Sequence, residues 1–218
     1  MGQHVHSMPA NAVLLRAVKR FRRAASWVVI VVLCALLSVS VSAWPVGGIA
    51  DQIMTNLGFI LLVICAFGRV WSSVFIAGYK NEKLITVGPY SLVRNPLYVF
   101  SFCGAIGIGL VCCSLTVVAL LVLPFLVWYP IMVTEEEQYL ADRHPEEWAA
   151  YAKATPRFIP ALRWPVQPES YTVNTRKVTN AFADAIWFPI SALAIKLALK
   201  GIAELHAAGH LPTIWHLY

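Results

Sequence analysis

The sequence predicts an all-α fold: a polytopic helical membrane protein with about five transmembrane helices and a tight hairpin between the third and fourth. Three observations carry this. The 218 residues are 59% hydrophobic and 13% charged, whereas a soluble domain is nearer half apolar and a quarter charged. The apolar residues are gathered into long runs, which leaves little chain for a separate soluble module and points to one domain, 1–218. Lys and Arg also alternate from connector to connector: five precede the first run, three lie between the second and third, six between the fourth and fifth, and the connectors after the first and third carry none. That alternation puts the N-terminus and both motif-bearing connectors on the cytoplasmic side, which in a bacterium means the inner membrane. It also accounts for the net charge of +6 without nucleic acid, since no basic stripe interleaves with aromatics outside the apolar runs.

The elements follow in order. Residues 1–26 form a basic arm whose Arg16, Lys19, Arg20, Arg22 and Arg23 suit a short amphipathic helix on the membrane surface. The run from Trp27 to Trp44 is bounded by interfacial aromatics, lacks a clear small-residue cleavage pattern, and reads as a retained anchor. Pro45 and Gly47-Gly48 break it, and a second run extends from about Ile53 to Gly78. Leu97 to Cys113 and Leu115 to Val133 follow with almost no linker, a hairpin whose arms just reach across a thin bilayer. Pro124 and Pro130 fall in its second arm and are expected to kink it. Thr134 to Thr179 is polar, with an amphipathic centre at Tyr139, Leu140, Trp148 and Tyr151. A fifth run, Ala181 to about Leu199 within a C-terminal segment 180–218, is weakened by Asp184, Lys196 and Lys200, and is expected to span.

Within this framework residues 78–160 hold the chemistry. In Gly88-Pro89-Tyr90-Ser91-Leu92-Val93-Arg94-Asn95-Pro96-Leu97-Tyr98, Gly88-Pro89 sets a turn, and Pro96 forces Asn95 out of the helical region while starting the next helix. Arg94 therefore lies by a helix N-terminus, where an anionic group is favoured twice over. Tyr90 and Tyr98 offer π faces to an aromatic or cationic ligand. The alternative is interfacial anchoring, for which Arg and Tyr also suffice. Glu135, Glu136 and Glu137 stand where carboxylates are least expected, at a helix C-terminus on a positive-inside flank. They are either solvated or meet a cation, with Arg94, Arg157 or a ligand amine as candidates. Adjacent residues on a helix diverge, so at most two of the three face one site.

Other features are weaker. Arg69 inside the second run is either functional or snorkels to the interface. The five cysteines read as small apolar membrane residues, and Gly104, Gly107 and Gly109 as close helix packing. His206 and His210 are four apart, but Gly209 and Pro212 end the helix there, so no metal site is assigned.

Taken together, these motifs resemble the isoprenylcysteine carboxyl methyltransferase family and its wider group, which includes phospholipid N-methyltransferases. The family pattern R-H-P-x-Y reads here Arg94-Asn95-Pro96-Leu97-Tyr98, its paired glutamates match Glu136-Glu137, and its closing segment matches Tyr151 and Arg157-Phe158-Ile159-Pro160. The resemblance implies S-adenosyl-L-methionine bound by Tyr90, Arg94, Asn95, Pro96, Tyr98, Glu136 and Tyr151, with Glu136, Glu137 and Arg157 as catalytic candidates. It implies a lipophilic or lipid-linked acceptor entering from the membrane, with carboxylate O-methylation ahead of a lipid amine or small thiol. Asn95 replaces the family's histidine, and His144-Pro145 stands where Phe-Gly is common. A membrane reductase using a nicotinamide cofactor and a non-catalytic binding or transport protein are the rival readings. The former has more helices; the latter would place paired charges near the midplane.

Overall fold

The computed structural model describes residues 35, 40–42, 44, 47–77, 79, 83–210 and 215–217. The basic arm and nearly all of the first apolar run lie outside these residues. Elements in chain order are β1 (Ser40–Ser42), α1 (Ile49–Ile76), a 3-10 turn (Gly88–Ser91), α2 (Pro96–Val111), α3 (Leu115–Arg143), α4 (Pro145–Ala154), α5 (Thr175–Ala207) and β2 (Trp215–Leu217). Three helices, α1, α3 and α5, are long and apolar enough to cross a membrane, and α2 is a shorter apolar helix. The second to fifth runs are therefore all helical, and the chain is an integral membrane protein. The one exception to the helical expectation is small: β1, at the end of the first run, pairs in parallel with β2, Ser40 opposite Trp215. Its Ser-Val-Ser sequence carries a β-branched residue between small polar ones and is a poor helix former.

The hairpin between α2 and α3 is as tight as expected. After Val111, Cys112 and Cys113 make the turn, and Cys113 adopts φ +50°, a left-handed conformation rare outside glycine. Ser114 then caps α3, its side chain accepting from Val117 N at 3.3 Å. The second arm is longer than expected: α3 continues through Pro124 and Pro130 to Arg143, so the glutamates after Val133 ride on an uninterrupted helix. Hydropathy ends at Val133 but helix propensity does not, because Glu, Gln, Leu and Ala are all good helix formers.

Helices α1, α2 and α5 make the core, around Leu62, Val111 and Ala192 with Phe59, Ile108 and Phe188 packed against them. The approach of α1 to α2 is set by glycines: a Cβ on Gly58 would lie 2.8 Å from Gly107 O and 2.9 Å from Val111 N. Both obstacles are backbone, which cannot rotate away. Gly58→Ala is therefore expected to cost about 1–3 kcal/mol, the range for overpacking, and to lower the thermal unfolding midpoint in detergent; an unchanged midpoint would mean that the helices pack less closely.

The far end of this bundle from the motif-bearing connector is closed by polar groups. Lys196 Nζ on α5 lies 2.6 Å from Asp51 Oδ1 and 2.8 Å from Thr55 Oγ1, both on α1. The Cys113 thiol of the hairpin donates to Asp51 Oδ1 at 2.8 Å. Lys196 weakens the fifth run on hydropathy alone, yet here its charge is neutralised by a carboxylate 145 residues away, which removes most of the insertion cost. Cys113 is accordingly a hydrogen-bonding group and not simply a small apolar residue.

Candidate active site

The site is built on the connector between α1 and α2. Gly88 sits at φ +61°, and a Cβ there would lie 2.5 Å from the Phe75 ring, so the turn requires glycine. Pro89 opens the 3-10 turn, closed by Leu92 N donating to Pro89 O at 3.1 Å and by Ser91 Oγ donating to Gly88 O at 2.7 Å. Asn95 lies outside the helical region, at φ −126° and ψ 58°, consistent with the bar that Pro96 places on a helical residue before it, and Pro96 occupies the first turn of α2.

A second strip of chain, residues 155–166, is laid across this connector by main-chain bonds. Arg94 N donates to Pro156 O (2.9 Å), Ala161 N to Leu92 O (2.9 Å) and Gly88 N to Val166 O (2.7 Å). Arg163 donates through Nη2 to Ser91 O, and Val166 N donates to Ser91 Oγ at 2.9 Å. The connector is thereby held as a rigid platform. Tyr151, on α4, is buried and donates to Tyr90 O at 2.8 Å.

Onto this platform α3 delivers its carboxylates. Glu137 Oε1 accepts from Asn95 Nδ2 at 3.0 Å and pairs with Arg94 Nη1 at 3.3 Å. Its Oε2 lies 3.1 Å from Arg157 Nε, off the N–H axis, so this contact is an ion pair without a hydrogen bond. Only 13% of the Glu137 side chain is exposed, against 17% for Arg94 and 33% for Arg157. Glu136 Oε2 accepts from Tyr98 OH at 3.2 Å. Glu135 does not line the cleft, so two of the three glutamates face the site and one does not. Arg157 also donates to Thr134 Oγ1, and the Arg94 guanidinium lies 5.9 Å above the Trp148 ring.

These groups surround a cleft whose enclosed part is about 70 Å³. It is lined by Tyr90, Arg94, Asn95, Pro96, Tyr98, Glu136, Glu137 and Tyr151 together with Leu84, Ile85, Tyr139, Leu140 and Trp148. Eight of the nine sequence-derived site residues line it, and the ninth, Arg157, reaches it through Glu137. One expectation changes: Arg94 does not present a free positive charge at the helix N-terminus, because Glu137 already meets it. The Tyr90 hydroxyl is buried and has no hydrogen-bond partner among the described residues. Burial, and then the nearby Glu136 charge, push its pKa well above the ordinary value, so it stays a donor.

Beside the cleft, between α2 and α3, runs an apolar groove of about 360 Å³ lined by Tyr98, Val99, Phe102, Phe125, Leu126, Tyr129, Pro130, Phe158 and Ile159. Tyr129 stacks on Phe125 with centroids 4.0 Å apart and meets Tyr98 edge-on at 4.8 Å. Tyr98 is the wall shared by cleft and groove.

The family described as phospholipid methyltransferase matches residues 48–147, from the start of α1 to the first turn of α4. A relative 34% identical over 212 residues, covering 95% of this chain and 94% of its own, is the cobalt-zinc-cadmium resistance protein CzcN of Cupriavidus metallidurans. The chain belongs to the phospholipid methyltransferase family. Another relative, the nickel-cobalt-cadmium resistance protein NccN of Alcaligenes xylosoxydans xylosoxydans, is 34% identical over 186 residues, with 85% of this chain and 84% of its own covered. No solved structure matches. In this phospholipid methyltransferase family member, the matched region holds the Arg94–Tyr98 motif and both inward glutamates, while Tyr151 and Arg157 lie beyond it and join the site only through the fold.

Trp148, Tyr139 and Leu140 were visible in the sequence as an amphipathic centre, without a role in the site. The alternation of Tyr151 with Trp148 one turn earlier was the signal available for Trp148. Leu84, Ile85, Thr134 and Arg163 had none.

Proposed function

We propose that this chain transfers a methyl group from S-adenosylmethionine, held in the polar cleft on the cytoplasmic side, to a lipophilic acceptor that arrives along the apolar groove. The observation that carries this is Tyr98, which has the cleft on one side and the groove on the other. The residues present fit the cofactor: the Tyr90 hydroxyl and the Arg94 Nε, neither of which has a hydrogen-bond partner among the described residues, suit its carboxylate, and Leu84, Ile85, Leu140 and Trp148 its adenosyl part. When bound, its sulfonium supplies a methyl group already activated for displacement. The protein then has to align the acceptor and keep water away, which the aromatic walls of the groove and the Tyr98 ring do.

The sequence puts a carboxylate acceptor first, and one observation supports an amine instead. Glu137 is neutralised by Arg94 and Arg157, but among the described residues no cation pairs with Glu136, which accepts from the Tyr98 hydroxyl. An acceptor carboxylate reaching Tyr98 would meet a like charge there. An amine would meet a base and the π faces of Tyr98, Tyr129 and Phe125. The names of the relatives also support a role for this methyl transfer in tolerance of divalent metals.

Calorimetry of the purified chain with S-adenosylhomocysteine tests the reading; saturable one-to-one binding is expected, and no heat from folded protein would overturn it. The acceptor class is read from the labelled product of a membrane assay. Mild alkali releases methanol from a methyl ester and leaves an N-methyl group intact; an intact label is expected.

A further inference from the structure

Arg69 belongs to neither the cleft nor the groove. Its Nη1 donates to Ser101 Oγ on α2 at 2.5 Å, and its guanidinium lies 5.3 Å from the Phe188 ring of α5. The Ser101 hydroxyl in turn donates to Leu97 O at 2.7 Å. The remaining Arg69 N–H groups have no acceptor among the described residues, and no carboxylate there pairs with it. Asp51 is engaged by Lys196, and Glu136 and Glu137 by Tyr98, Asn95 and the two arginines. Asp184, one turn before Phe188, is exposed and makes no ion pair with Arg69. The first 50 residues contain no Asp or Glu, and Glu82 stands 13 residues after Arg69 in the sequence.

Depth says what the missing anion is. Asp51, with Lys196, marks the polar boundary at one end of the bundle. Arg69 follows it by 18 positions on the same helix, or about 27 Å at the α-helical rise. Hydrocarbon is about 30 Å thick, so Arg69 emerges at headgroup level on the side of the candidate active site. It is not a midplane charge. The anion that a bilayer presents at this level is the lipid phosphate, whose paired oxygens match the planar fork of a guanidinium.

We propose that Arg69 and Ser101 form a binding site for the phosphate of a phosphoglyceride, seated where α1, α2 and α5 meet and separate from the groove between α2 and α3. Its acyl chains run down the bundle past Phe188. Because Ser101 holds the Leu97 carbonyl in the first turn of α2, an occupied site braces the helix that carries Tyr98.

Native mass spectrometry and thermal unfolding of the full chain in detergent test this, with phosphatidylglycerol, phosphatidylethanolamine, diacylglycerol or inorganic phosphate added. Wild type is expected to retain one phosphoglyceride and to be stabilised by either phospholipid. Diacylglycerol and inorganic phosphate should do neither. Arg69→Gln should weaken retention at least tenfold and abolish the stabilisation, and Arg69→Lys should restore it in part. Equal retention by wild type and Arg69→Gln would overturn the proposal, as would stabilisation by diacylglycerol. Equal stabilisation by inorganic phosphate would assign the site to a soluble anion and overturn its lipid character. Should Arg69→Gln fail to fold, Ser101→Ala keeps the charge and should still lose retention several-fold; unchanged retention there would also overturn the proposal.

Discussion

Glu137→Gln is expected to lower methyl transfer at least a hundredfold and to destabilise the protein in the same stroke. The amide keeps the size of the side chain and an acceptor for Asn95, but it removes the charge that Arg94 and Arg157 share. Breaking a buried ion pair by deleting one member costs about 3–5 kcal/mol. The low end, about 3 kcal/mol, is the appropriate figure because a third of the Arg157 side chain stays in solvent. A hundredfold loss of rate corresponds to about 2.7 kcal/mol of transition-state stabilisation, so displacement of Arg94 and Asn95 from the cleft wall is sufficient cause. Glu136→Gln separates the two roles. Among the described residues its carboxylate pairs with no cation and accepts from the Tyr98 hydroxyl, so activity should fall with little change in unfolding midpoint. The measurements are labelled-methyl transfer in membranes and thermal unfolding in detergent; equal stability losses in the two variants would remove Glu137 from its place as the charge centre.

Tyr90→Phe is expected to move binding and stability in opposite directions. Its hydroxyl is buried and has no partner among the described residues, a state that costs about 1–3 kcal/mol. Removing it should leave the unfolding midpoint unchanged or raised. On the proposed reading the same hydroxyl donates to the carboxylate of the ligand, a bond of about 1.5–3 kcal/mol, so S-adenosylhomocysteine affinity should fall by about tenfold or more. Calorimetry and unfolding on one preparation give both answers. A variant that is less stable and binds as well as wild type would show that the hydroxyl serves the fold and not the ligand.

Much of this protein was legible before the structure. The four apolar helices, the tight α2–α3 hairpin and the break at Asn95-Pro96 all follow from local chemistry. Burial in lipid is a property of a run of residues, and proline acts on its immediate neighbours, so neither needs knowledge of distant chain. The extension of α3 to Arg143 was missed because hydropathy reports where the membrane ends, not where the helix does.

What the sequence determined by itself was therefore the membrane class, the helix order and the identity of most cleft residues, since hydropathy, charge alternation and motif spacing are written along the chain. Only the tertiary structure decided which charge meets which: Lys196 with Asp51, Arg94 and Arg157 with Glu137, Arg163 with the Ser91 carbonyl, and Arg69 with no carboxylate among the described residues. It also decided that Tyr98 divides a polar cleft from an apolar groove. These facts depend on separations of a few ångströms between residues far apart in sequence. Hydrogen bonds form only within about 3 Å and at favourable angles, and an ion pair gains most at contact, so partners cannot be assigned until packing sets those distances.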